Sequence, residues 1–394
     1  MKARGDEAPH VVLHRRGAER WQRGHPWIYA SDLQGAAGLQ GGEVVRVLDG
    51  RRWFLGQALY SKQSKIALRW LTSQDVPVNA DFWRARIHQA RALRQLIFPG
   101  ERTYRAVHGD ADLLPGLIVD RYGDYLVAQF LVKGTDDRKE LLADLLVEAF
   151  EAKGLMNRSD ASVRALEGLS TVREVMRGQI PASVEYRVGT LRLWADLHQG
   201  QKTGAFLDQR ENQLACATYA RGDALDCFAY AGGFALQLAT RAAQVTAVES
   251  SESAAQQLKA NCELNQLTNV QVVIANAFDF LRDAVDEGRR FDTVVLDPPS
   301  FARNKASIDA ALRGYKEINL RAMQLLHPSG FLITCSCSHH VSEDLFEEML
   351  GAAAADAKRR FQIVDRRGAS RDHPVLLSLP ETRYLKCFVL RALS

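Results

Sequence analysis

Hydrophobic and polar positions change rhythm along this chain. Between residues 10 and 72, "EVVRVLD", "WFLGQALY" and "IALRWL" are β-rich runs, separated by turn punctuation such as "LQGGE" and "LDGRR". That pattern predicts short strands with turns between them, a small β-barrel-like module. A break at "TSQDVPVN" (72–79) leads into "ADFWRARIHQARALRQLI", where Phe82, Ile87, Ala90 and Leu93 recur at helical spacing. "GLIVDRYGDYLVAQFLV" (116–132) predicts a hairpin turning near Tyr122-Gly123-Asp124. A helix over 137–153 and the β-rich stretches "STVREVM" and "ASVEYRVGTLRLWADL" follow.

From about residue 222 strand and helix alternate. "ALDCFA", "QVTAVES", "VQVVIAN", "DTVVLD" and "GFLIT" read as strands. Between and after them, "GGFALQLATRAA", "ESAAQQLKANCELNQ" and residues 277–287, 309–327 and 342–356 read as helices. Such alternation predicts an α/β domain with a mostly parallel sheet covered on both faces. Ligands of these sheets bind beyond the carboxyl ends of the strands, so those ends hold the candidate chemistry.

Composition changes this picture in one respect. The length of 394 residues predicts two or three domains, and 46% hydrophobic with 25% charged residues is a soluble globular balance. No apolar run reaches membrane-spanning length and "MKARGDEAPH" has no apolar leader, so a cytoplasmic protein is expected. Six cysteines without C-x-x-C or H-x-x-x-H spacing argue against both a disulfide framework and a metal site. Charge, however, is uneven. Residues 1–72 hold 12 Lys+Arg against 6 Asp+Glu, and the rest of the chain 39 against 41. Trp21, Trp27, Trp53 and Trp70 share that basic segment. A basic, aromatic module suits a polyanion such as nucleic acid, although the same tryptophans could simply fill a small core.

At the predicted strand ends, Gly232 and Gly233 open a helix and offer backbone N–H groups, or else make a tight strand-to-helix turn. Glu249, sixteen residues on, is suited to accept both hydroxyls of an adenosine ribose. Asn276, Ala277 and Phe278 follow the third strand. An amide and a ring there suit an adenine edge and face, and Asn also caps helices. "LDPPSF" (296–301) puts Asp297 after an apolar strand, followed by two prolines that remove donors and leave carbonyls facing outward. The fifth strand runs into Cys335-Ser336-Cys337-Ser338. Buried cysteine is ordinarily an inert hydrophobe, but Cys337 lies further past the sheet, where a reacting base could reach it.

With these residues assembled, the chain resembles the bacterial large-subunit (23S) ribosomal RNA cytosine-C5 methyltransferases. The resemblance runs through "GHPWIYASD", "HGDADLLPGLIVDRYGDYLV", "GQKTGAFLDQREN", "DCFAYAGGF", "LDPPSFARNK", "TCSCSHHVSEDLF" and "DHPVLLSLPETRYLKCFVL". It implies a PUA-like RNA-binding domain over 1–72, a central α+β domain over 73–185 and a Rossmann-like class I methyltransferase domain over 186–394. It implies S-adenosylmethionine as cofactor, with Phe206, Asp208 and Arg210 in the segment closing over its methionine end. Asp226, Phe228, Ala231, Gly232, Gly233, Glu249, Ser250, Asn276, Ala277, Phe278 and Asp297 are the further implied cofactor contacts. Cys337 is the implied nucleophile and Asp297 its partner at the base, with Cys335 as the alternative sulfur. Ribosomal RNA is the implied partner, Arg15, Arg16, Arg20 and Arg23 are the candidate phosphate contacts, and a homodimer is left open.

Two positions depart from related patterns. Ser300 stands where another class of RNA cytosine methyltransferases has a second cysteine, and Asn276 where relatives often have Asp. Two rival readings remain. One is an amino-group methyltransferase acting on guanine or adenine, which uses an Asp-Pro-Pro loop without a covalent cysteine. The other is a non-catalytic RNA-binding assembly factor.

Overall fold

The computed structural model describes residues 9–36, 38–302 and 305–393. Residues 1–8, which bear on the expected absence of a leader, and Arg303-Asn304 of the Asp-Pro-Pro motif lie outside the described residues. The chain forms two compact units. One comprises residues up to Val184 with Ala195–Ala205 and Asp372–Thr382; the other comprises Glu185–Trp194, Phe206–Arg371 and the chain from Arg383 onward. No helix among the described residues is long and apolar enough to cross a membrane.

The first unit carries two sheets. Its six-stranded sheet runs in the order Trp27–Tyr29, Ile66–Thr72, Phe54–Tyr60, Val44–Leu48, His10–Leu13, Leu33–Gly35. Alternation holds here: Val45 and Val47 are fully buried, with Arg46 between them half-exposed. The sequence pattern missed the helix Arg15–Gln22, which buries only Gly17, Ala18 and Trp21. So narrow an apolar face leaves little periodicity to read. The five-stranded sheet runs Val172–Gly178, Gly154–Ser159, Tyr125–Phe130, Leu117–Tyr122, Thr103–His108. Its hairpin turns at Gly123, φ +62°, and the helices Ala80–Ile97 and Lys139–Phe150 match the expected ones. Gly154–Ser159 is hidden from a pattern reading because its polar residues are buried: Arg158 donates to the carbonyls of Leu197 and Gly200, and Asn157 accepts from Ser159.

The second unit is built on a seven-stranded sheet. In chain order its strands are β1 (Asp223–Cys227), β2 (Gln244–Glu249), β3 (Val270–Ile274), β4 (Phe291–Leu296), β5 (Leu326–Ser336), β6 (Phe361–Arg367) and β7 (Lys386–Ala392), arranged 3-2-1-4-5-7-6. β1 to β5 are parallel, and β7 runs antiparallel between β5 and β6. The helices are α1 (Gly233–Ala239), α2 (Glu252–Leu264), α3 (Ala277–Asp286), α4 (Ile308–Leu325) and α5 (Glu343–Asp356). β1 and β4 are near-continuous buried runs, as strands covered on both faces must be. Leu225, Val294, Leu296 and Leu332 meet Tyr315, Ile318, Met323 and Phe346 in one core. This is the doubly wound α/β sheet that the alternation predicts. The closing β6–β7 pair was not predicted, since a polar stretch with one short apolar run carries no βα rhythm.

Candidate active site

β1, β2, β4 and β5 are neighbours with parallel pairing, so their carboxyl ends open on one edge of the sheet. Beyond β1 the backbone is contorted. Phe228 (φ +66°) and Tyr230 (φ +47°) are left-handed, and Gly232 (φ +91°) caps α1. Non-glycine residues in that region cost about 1–3 kcal/mol each and persist where the surroundings enforce them. The glycines are fixed by packing: a Cβ on Gly232 would lie 2.4 Å from Leu236, and one on Gly233 2.3 Å from Gln213. Ala231 is buried beside them.

The same turn aims the Tyr230 N–H at Glu249, whose Oε2 accepts it at 2.8 Å, while Oε1 accepts from the Ser251 N–H at 2.8 Å. Ser250, next to Glu249, is exposed. Glu249 is thereby held at the end of β2. Asp226, on β1, is 1% exposed, and neither carboxylate oxygen has a hydrogen-bond partner. Burial, with Asp297 and Glu249 as like charges, pushes its carboxyl well above the usual range. A buried carboxylate left in this state is an acceptor waiting for a donor.

After β3, Asn276 does cap a helix: its Oδ1 accepts from the Phe278 N–H at 2.8 Å at the start of α3. Ala277 is buried, and the half-buried Phe278 ring packs edge-on to Phe228 at 6.4 Å. Past β4, Asp297 is half-buried and Oδ1 accepts from Gln209 Nε2 at 2.8 Å. Gln209 is itself oriented by Asn212, which donates to its Oε1 at 2.7 Å. Sequence reasoning does not single out Gln209; its place between Asp208 and Arg210 was the available signal. Asp208 and Arg210 are both buried, Asp208 Oδ2 accepts from the Tyr384 hydroxyl at 2.7 Å, and the Phe206 ring meets Tyr230 edge-on at 5.2 Å.

The two cysteines part company. Cys335 lies inside β5, fully buried, in register with Cys387 of β7. The Cys387 sulfur and burial push its thiol well above the ordinary value. Cys337 is the first residue past β5 and half-buried. Ser338 ties its loop to the Asp-Pro-Pro loop. Its hydroxyl lies 3.0 Å from Ser300 Oγ and 2.9 Å from the Tyr315 hydroxyl, and it accepts from the Ala302 N–H at 3.2 Å. Sequence reasoning also missed Lys386, a buried lysine whose Nζ donates to the carbonyls of Ser338, Val341 and Tyr384 at 2.7, 2.7 and 2.8 Å.

The candidate arginines belong to the first unit. Arg15 pairs with Glu19 on the solvent side of its helix, and Arg23 is exposed at that helix's end. Arg16 and Arg20 lie 3.8 and 3.6 Å from the buried Asp32, and Arg20 also stacks over Tyr29. Trp21 is core, Trp53 is 71% exposed, and Trp21 and Trp70 line a cavity of about 440 Å³ with Phe54 and Leu113. Among the described residues no group of His, Cys, Asp or Glu could hold a metal ion.

Comparison with known proteins is consistent across the chain. Residues 11–73 match the PUA-like domain family, and residues 211–359 match a family described as conserved hypothetical protein 95. A ribosomal RNA large subunit methyltransferase I from Tolumonas auensis is 38% identical, over 97% of this chain and 99% of the relative. A protein of the same name from Yersinia pestis bv. Antiqua is 37% identical, over 94% and 96%. Among solved structures, an inferred methyltransferase complexed with SAH superposes with a TM-score of 0.84 at 21% identity, covering 97% of this chain and 99% of that one. At that identity the likeness is one of fold. With relatives above one-third identity along nearly its whole length, this chain belongs to the ribosomal RNA large subunit methyltransferase I family.

Proposed function

We propose that this protein is an S-adenosylmethionine-dependent methyltransferase that forms 5-methylcytosine in large-subunit ribosomal RNA through a covalent adduct of Cys337 with cytosine C6. The observation that carries the choice of base and sulfur is the split between the cysteines: Cys335 is sealed in the sheet, whereas Cys337 emerges past it on a loop fastened to the Asp297 loop. The names of the relatives support ribosomal RNA as substrate.

The residues fit the cofactor. The buried, unsatisfied carboxylate of Asp226 suits a donor from the ligand, and Glu249, already steered by two backbone N–H groups, suits the ribose hydroxyls. Asn276 and Phe278 would flank the adenine, and Phe206, Asp208 and Arg210, with Phe228, Ala231, Gly232, Gly233, Ser250 and Ala277, would complete the surround. When bound, S-adenosylmethionine supplies the electrophilic methyl group that cytosine C5 takes.

Cytosine C5 is a poor nucleophile. Addition of the Cys337 thiolate to C6 makes C5 enamine-like; after methylation the C5 proton leaves and the sulfur is eliminated, restoring the ring. Asp297, held by Gln209, is assigned to the N3/N4 edge of the base. Reaching the site requires unstacking the base, at a cost of roughly a few kcal/mol. Contacts from a basic PUA-like module over 1–72 offset that cost, with Arg15, Arg16, Arg20 and Arg23 as its phosphate ligands. The central module over 73–185 and the methyltransferase module over 186–394 complete this partition. Such a substrate sets the protein in the cytoplasm, and every residue used belongs to one chain, so homodimerisation is no part of the proposal. The amino-group alternative gains nothing from Phe301, whose ring packs 4.6 Å from Tyr315 instead of following directly on the prolines.

Incubation with 5-fluorocytosine-containing ribosomal RNA and cofactor tests the reading. A trapped adduct mapping to the Cys337 peptide is expected. An adduct on another residue, or full activity in a Cys335→Ala/Cys337→Ala double variant, overturns it.

A further inference from the structure

Lys386 is 5% exposed, and its side chain ends among three carbonyl oxygens. A buried ammonium needs a counter-charge, yet among the described residues no carboxylate lies within ion-pair distance of its Nζ. The groups that act on it electrostatically are Cys337 and, at the start of α5, Glu343. Register explains the first: Lys386 pairs across the sheet with Ser336, the residue before Cys337. Two of its three acceptors, Ser338 and Val341, bracket the turn that follows Cys337, a turn also closed by the Val341 N–H on the Ser338 carbonyl at 3.2 Å. The turn then enters α5 through the Ser342 cap. One lysine thus grips the turn that follows Cys337 and holds its ammonium beside that turn.

We propose that Lys386 is the positioning residue that presents Cys337 as a thiolate, fixing its turn through the Ser338 and Val341 carbonyls and supplying the positive charge that balances the sulfur. This rests on Cys337 being the attacking sulfur. Of the other titratable groups nearby, Tyr315 from α4 acts on Cys337, Tyr384 before β7 offers Lys386 its backbone carbonyl, and His339 is stacked on the Tyr384 ring at 5.2 Å. Tyr384 donates its proton to Asp208, and none of these brings a second fixed cation. Burial lowers the lysine to about 8, so it stays largely protonated at neutral pH. The charge is present where the reaction runs.

The test is the pH profile of Cys337 alkylation by iodoacetamide in the full-length protein, followed by peptide mass mapping. In the wild type the profile should turn below the ordinary thiol value of about 8.5. In Lys386→Met it should turn about one pH unit higher, making alkylation at pH 7 about tenfold slower. Superimposable profiles overturn the proposal, since a merely structural lysine would not move a thiol titration. Should Lys386→Met fail to fold, the reciprocal measurement decides. In Cys337→Ala, the Lys386 side-chain carbon signal in NMR should titrate lower than in the wild type, because coupling is mutual; an unchanged titration overturns the pairing. Failure here leaves a 5-fluorocytosine adduct at Cys337 intact, whereas an adduct at another residue fails the function without erasing the thiol–lysine coupling.

Discussion

Asp226, a proposed cofactor contact, is the residue where stability and the proposed function should pull in opposite directions. Its carboxyl is raised by burial and by the like charges of Asp297 and Glu249, and the Ala235 backbone N–H opposes this only in part. The folded state therefore holds this proton more tightly than the unfolded one, whose value is about 4. Wild-type stability should fall as pH rises from about 4 toward the raised folded value, the opposite of a salt-bridged aspartate. Asp226→Asn removes the titration. Its stability relative to the wild type should grow across that window, reaching about 1 kcal/mol or more at neutral pH in denaturant unfolding of the ligand-free protein. Calorimetry should find S-adenosylmethionine bound about tenfold more weakly or worse, the loss expected for a charged acceptor. Equal stability at pH 4 and 7 in both proteins would contradict this account. The strand was legible in "ALDCFA", and Asp226 entered only through the family resemblance; that its oxygens lack side-chain partners was not legible, because satisfaction depends on neighbours far apart in sequence. The cysteines teach the same lesson. Cys335 and Cys337 look alike in "TCSCS", and only the pairing of β5 with β7 buries one of them.

At the scale of elements, the helices and strands carrying strong periodicity were readable nearly to the residue. Ala80–Ile97 coincides with its apolar spacing, and its Asn79 cap accepts from Asp81 and Phe82. The parallel core of the second unit was readable too, because strands buried on both faces are spelled as apolar runs. What escaped was the helix Arg15–Gln22, with its narrow buried face, and β6 and β7, which lack the alternation that announces a βα unit. Asn276 tests how a cap and a site share one side chain. It caps α3 through the Phe278 N–H, so Asn276→Ala should cost about 1 kcal/mol of stability and Asn276→Asp almost nothing. Thermal unfolding of the two variants measures the cap. If the side chain serves only the helix, cofactor affinity should follow stability; if it also reads the adenine, Asn276→Ala should lose affinity in a protein still fully folded at the assay temperature.

Across the whole molecule, charge is the property most directly written in the sequence, and it underlies the proposed grip on RNA. Residues 1–72 carry twice as many basic as acidic residues, while the remainder is slightly acidic. Binding driven by such a segment releases counterions from RNA phosphates, so log affinity should fall linearly with log salt. The slope changes by about 0.7–0.9 for each phosphate that is no longer neutralised. The four candidate arginines should not behave alike. Arg15 and Arg23 face solvent, so Arg15→Ala and Arg23→Ala should weaken RNA binding and flatten the salt slope with folding unchanged. Arg20, with only 21% of its side chain exposed, stacks on Tyr29 and stands 3.6 Å from the buried Asp32. Arg20→Ala would leave that carboxylate only the solvent-exposed Arg16 at 3.8 Å, and a stability loss should accompany any loss of RNA affinity. Salt titrations of fluorescently labelled ribosomal RNA fragments, run beside thermal melts, separate the two classes. Unchanged slopes in both Arg15→Ala and Arg23→Ala would remove this helix from the RNA-binding surface and return its arginines to the role of solvating a small core.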